Sequence, residues 1–257
     1  FLPRFLTRAA LHLSSARRAR GGPLTQHAAN ECCYHINYQL VLGASSSERS
    51  TYQVDSDPNS YAYLRSGTGK ATARRGNDAK DYKEVVGVLD MLAVKKDMQA
   101  ALFQALSGLL ALGSVKFTEN PNGDSSVSGQ NELQRASKLL GTHLSLLQQA
   151  LCSRTMKLKG SEMQIPLKPH EARSARDALA KAIYLKLFGW VVQQVNSSLL
   201  DSKVVPSEHG FLGILDIYGF ENFEKNSLEQ VRARPLRHPH AVLLLAPPPS
   251  PPPPPPP

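Results

Sequence analysis

The octapeptide Gly210 to Ile217, GFLGILDI, constrains this chain more than any other stretch. It is a short apolar run with glycines at its edge, the pattern of a strand buried on both faces of a parallel sheet. A strand of that kind needs a hydrogen-bonded partner along each edge, because its backbone donors and acceptors are buried with it. One such strand cannot stand alone. Its partners must come from sequence outside these 257 residues, so the chain reads as part of a larger α/β domain.

The stretch before that strand is mainly helical in pattern. Tyr82, Val85, Val86, Leu89 and Leu92 recur at helical spacing, and so do Met98, Leu102, Leu106, Leu109 and Leu110. These two segments are expected to pack as an antiparallel pair. Asn120 to Gly129, rich in Asn, Gly and Ser with Pro121, is expected to be a surface loop. Leu133, Ala136, Leu139 and Leu140 predict a short helix stopped by Gly141, and Leu144, Leu147 and Leu151 a second one. The longest helix should open at Pro169, a residue suited to a first turn, and run to about Leu200.

Charge divides the chain into three regions. All 21 acidic residues lie between Glu31 and Glu229, together with 22 of the 30 basic ones, so the formal charge of +9 belongs to the two ends. The body carries no basic stripe with interleaved aromatics, which argues against nucleic-acid binding. Residues 1–30 hold Arg4, Arg8, Arg17, Arg18 and Arg20 with no acid, a composition shared by mitochondrial transit peptides and by translated non-coding sequence. Residues 231–257 run into an almost pure proline tail, Pro247 to Pro257, interrupted only by Ser250. Proline lacks a backbone donor, so this tail suits a polyproline II rod for SH3, WW or profilin-like grooves, or is likewise translated non-coding sequence. Both ends are predicted to be disordered. Cys32, Cys33 and Cys152 do not have zinc-site spacing, which fits a reducing compartment, and no apolar run approaches the roughly 20 residues of a membrane span.

Chemistry concentrates in DIYGFENFEKNSLEQ, Asp216 to Gln230. An acid at the C-terminal end of a buried parallel strand sits where open sheets bind ligands, and a following glycine lets a backbone N–H approach an anion. The string resembles the switch II loop and the start of the relay helix of myosin motor domains. The helical text RDALAKAIYLKLFGWVVQQVNSSL (Arg176 to Leu199) resembles the helix that precedes that strand in the family, and YHINYQL (Tyr34 to Leu40) resembles the family's YHIFYQLL. LGSVKF, SKLLG and ALCSRT fall between them in the family's order, so the resemblance covers about residues 31–230.

The resemblance implies an α/β P-loop-type motor fold in the parent, of which this part is mainly α-helical with one buried strand of the central sheet. It further implies an actin-driven ATPase of the cytoplasmic cytoskeleton that uses ATP and Mg. Asp216 would stand in the second shell of the magnesium ion, the Gly219 N–H would contact the terminal phosphate, and Glu221 would pair with an arginine of switch I. Phe223, Asn226, Ser227, Glu229 and Gln230 would belong to the relay that carries loop closure to the lever arm. The family also needs a Walker A loop and switch I, and neither is found here. RSGTGKA, Arg65 to Ala71, has Leu64 where the first Walker A glycine belongs and Ala71 where the hydroxyl residue belongs, so it is expected to be a surface loop. Cys32, Cys33, Asn37 and Leu228 depart from the family's usual Arg, Asn, Phe and Phe. The alternative to a motor is a non-catalytic helical interaction module that presents the proline tail.

Overall fold

A computed structural model describes residues 24–25, 32–65, 69–71, 77–158 and 161–199, all within one compact unit. The strand expected at Gly210 to Ile217 lies outside the described residues. Seven helices are described: α1 (His35–Gly43), α2 (Ser46–Tyr52), α3 (Asp78–Met91), α4 (Lys96–Ser114), α5 (Gln130–Leu139), α6 (Leu144–Cys152) and α7 (Pro169–Leu199). Two short 3-10 turns, Pro58–Ser60 and Ala62–Leu64, lie between α2 and α3. Four short strands complete the set as two antiparallel hairpins, β1 (Lys116–Glu119) with β2 (Ser125–Ser128) and β3 (Ser153–Leu158) with β4 (Ser161–Pro166).

The molecule is organised around α4. From Leu109 to Gly113 every residue is buried, so this helix has no solvent face there and must be enclosed by several neighbours. It packs against α1, α2, α5, α7 and the turn Ala62–Leu64. Two of its glycines allow that closeness. A Cβ at Gly108 would lie 2.9 Å from Leu140 Cγ, and one at Gly113 would lie 2.4 Å from Tyr63 Cδ2.

The predicted pairing of α3 with α4 does not occur. α3 lies instead along α1, where Gly43 faces Tyr82 so closely that an added Cβ would stand 2.4 Å from the tyrosine Cβ. α3 and α4 touch through the Tyr82 and Phe103 rings, 5.2 Å apart, while Gln99 Nε2 near the start of α4 donates to Val94 O and Asp90 Oδ1. The short α2 is held by a capping box: Glu48 N donates to Ser45 Oγ at 3.3 Å and Ser45 N donates to Glu48 Oε2 at 2.8 Å. The other oxygen of Glu48 accepts from Tyr82 OH at 3.0 Å, which joins α2 to α3.

The segment read as a loop from Asn120 to Gly129 is half hairpin. Its turn is closed by Asn120 Oδ1, which accepts from the backbone N–H groups of Asn122 and Asp124, both at 2.9 Å. Beyond it β2 pairs with β1, placing Val127 opposite the buried Phe117. The helices read from periodicity stand where expected, α5 ending at Leu139 just before Gly141, whose φ is +64°, and α7 beginning at Pro169.

Candidate functional site

Asp216, Gly219 and Glu221, and with them Phe223, Asn226, Ser227, Glu229 and Gln230, lie outside the described residues. What the structure does describe is α7, the helix that leads toward them in sequence. At 1.5 Å per residue its 31 residues form a rod about 46 Å long. Its first turn is set by Pro169 and by Glu171, whose carboxylate accepts from Lys168 N at 2.8 Å. The Lys168 side chain reaches the β1–β2 turn, donating to Gly123 O at 3.0 Å.

One turn further on, a cluster of three side chains fastens α7 to the Ala62–Leu64 turn and to the C-terminus of α4. Asp177 Oδ1 accepts from Tyr63 OH at 2.7 Å and from Arg176 Nε at 2.9 Å, with Arg176 Nη2 at 2.8 Å. Arg176 Nη1 donates to Val115 O, the residue capping the C-terminus of α4, at 2.8 Å. A cation there favours the negative end of the helix dipole. The same guanidinium lies over the Tyr63 ring, 5.6 Å from its centre. Burial and the neighbouring Asp177 carboxylate push the Tyr63 hydroxyl well above the usual phenol range, so it remains a donor. The cluster contains no nucleophile poised against a base. Its chemistry is positional.

A second fastening lies two turns along. Tyr184 stacks on Tyr34 with ring centres 4.4 Å apart and planes 5° from parallel, and Ala172 and Ala180 are fully buried. Beside Tyr34, Cys33 is also fully buried: its thiol donates to Leu24 O and accepts from Asn37 Nδ2 at 3.3 Å. Burial pushes this thiol up to about 12, so it stays protonated and is unsuited to attack or to metal binding. Among the described residues no group of three or more His, Cys, Asp or Glu side chains is arranged to hold a metal.

The Arg65 to Ala71 segment, expected to be a surface loop, is described at Arg65 and at residues 69–71. Arg65 and Ala71 form an isolated antiparallel bridge, Ala71 N donates to Asn59 Oδ1 at 2.8 Å, and Gly69 and Lys70 are exposed. The anchoring roles of Tyr63, Arg176, Asp177, Tyr34 and Tyr184 were not read from sequence. Arg176 and Asp177 adjoin in a helix and gave a local signal of polarity, but Tyr63 is 114 residues from Asp177 and no local pattern connects them.

The family model described as Myosin head (motor domain) matches residues 23–233. Among curated relatives, Unconventional myosin IC of Drosophila melanogaster is 40% identical over 197 residues, covering 77% of this chain and 19% of the relative. Myosin-1 of Vanderwaltozyma polyspora is 37% identical over 203 residues, 77% of this chain and 16% of the relative. Myosin-1 of Coccidioides immitis is 36% identical over 207 residues, 79% and 16% respectively. The chain thus matches less than a fifth of the length of each of these relatives.

Proposed function

Because the chain belongs to the myosin head (motor domain) family, we propose that it is the switch II portion of an actin-based, ATP-hydrolysing motor of the cytoskeleton. The observation that carries this reading is the string from Asp216 to Gln230, which falls inside the matched range and follows α7 in the family's order. Bound Mg–ATP supplies the phosphoryl group and the charge that the loop responds to. Asp216 would help to hold the magnesium ion, the Gly219 N–H would be offered to the terminal phosphate, and Glu221 would pair with a switch I arginine from outside this chain. These roles rest on the resemblance alone. Phosphoryl transfer depends mainly on such positioning and charge stabilisation, so the residues act as a unit and not singly. Phe223, Asn226, Ser227, Glu229 and Gln230 pass closure of the loop onward. The named actin filament, like the nucleotide, is a partner of the whole motor.

Glu221→Ala in a complete motor containing this segment tests the assignment. ATP binding should survive while hydrolysis falls severely, because an interaction formed only on closure contributes to rate more than to affinity. Exchanging the charges of Glu221 and its arginine partner should restore part of the rate. Unchanged hydrolysis in Glu221→Ala would refute the switch II assignment.

The proline tail favours a second reading for the residues beyond the matched range. Ten of the eleven residues from Pro247 to Pro257 are proline, a composition suited to an aromatic-lined polyproline groove. A peptide of residues 246–257 should bind a profilin-like or SH3 domain, and titration showing no saturable binding would remove this reading.

A further inference from the structure

We draw no further inference here: the strongest candidate, the apolar groove midway along α7 lined by Ala182, Ile183, Lys186 and Leu187, carries nothing because no described residue shows what covers it.

Discussion

Replacing Asp177 by alanine should loosen α7 from the Ala62–Leu64 turn, the best-defined fastening of the helix. The carboxylate is 17% exposed and its partner guanidinium 14%, so water can only partly replace what is lost. A hydrogen bond to a charged group contributes about 1.5–3 kcal/mol, and removing one partner of a buried pair costs about 3–5 kcal/mol. Arg176 keeps its bond to Val115 O, which places the expected loss near the lower bound, about 3 kcal/mol. Tyr63→Phe removes only the 2.7 Å hydroxyl bond and leaves the ion pair, so about 1.5–2 kcal/mol is expected. In the double variant the tyrosine hydroxyl has already lost its acceptor, and the two losses should fall short of their sum by about 1 kcal/mol or more. Urea unfolding at submicromolar concentration, followed through Trp190, measures all three, since this single tryptophan lies on α7 itself. A loss under 1 kcal/mol for Asp177→Ala, or strict additivity in the double variant, would refute the idea that this cluster fastens the helix.

Four further outcomes are expected. Gly113→Ala should destabilise the fold by about 1–2 kcal/mol, because overpacking against Tyr63 costs about 1–3 kcal/mol and outweighs the better helix propensity of alanine. Gly87→Ala, whose added Cβ meets nothing within 4 Å, should stabilise by about 0.5–1 kcal/mol, and thermal melts of the pair provide the comparison. Partial burial raises the Glu48 carboxyl, but its hydrogen bonds from Ser45 and Tyr82 prevail and hold it below its ordinary 4.5. Its contribution is therefore complete above that value and lost as pH falls through the lower folded value, so wild type should lose more stability than Glu48→Gln across that acid window. Finally, the purified 257-residue chain should show no magnesium-dependent ATP turnover above a Glu221→Ala control, because positioning without a phosphate loop supplies almost none of the rate.

Where a structural signal is local, the sequence carried it well. α7 was expected from Pro169 to about Leu200 and runs from Pro169 to Leu199, because a proline start and a long uninterrupted helical text are both contiguous features. The stop at Gly141 was legible for the same reason, since a glycine readily takes positive φ. The two hairpins were not. β1 and β2 are four residues each and built largely from Lys, Thr, Glu and Ser, while β4 is exposed at all but one position, so its short alternation from Glu162 to Ile165 marks no buried face. The partner of α3 was equally hidden, because periodicity reports a buried face and says nothing of what covers it. Gly43 decided that question through close approach to a tyrosine 39 residues away.

The same distinction between face and cover explains why the proposed site was read from sequence while its surroundings were not. Asp216, Gly219 and Glu221 lie within six residues of one another, so their types and spacing form one contiguous signal. The helix before them gives the opposite case. Its first half has a clear inner side, with Ala172, Ala180 and Tyr184 buried against the body. From Ile183 onward it carries a broad apolar arc of Ile183, Leu185, Leu187, Phe188, Trp190, Val191, Val192 and Val195, beside a narrower polar strip of Lys186, Gln193 and Ser197. An apolar arc of that breadth is normally covered by packing. Yet Leu185 is 40% exposed and Val192 37% among the described residues. Isolated exposure of one leucine means little, but Leu185 and Val192 stand two turns apart on one edge of that arc, so the arc is incompletely covered in the described part. The apolar run Gly210 to Ile217 shows the same need from sequence, as a strand whose edges require partners. Two independent elements therefore call for more structure than is described, in keeping with a chain that matches less than a fifth of its relatives' length.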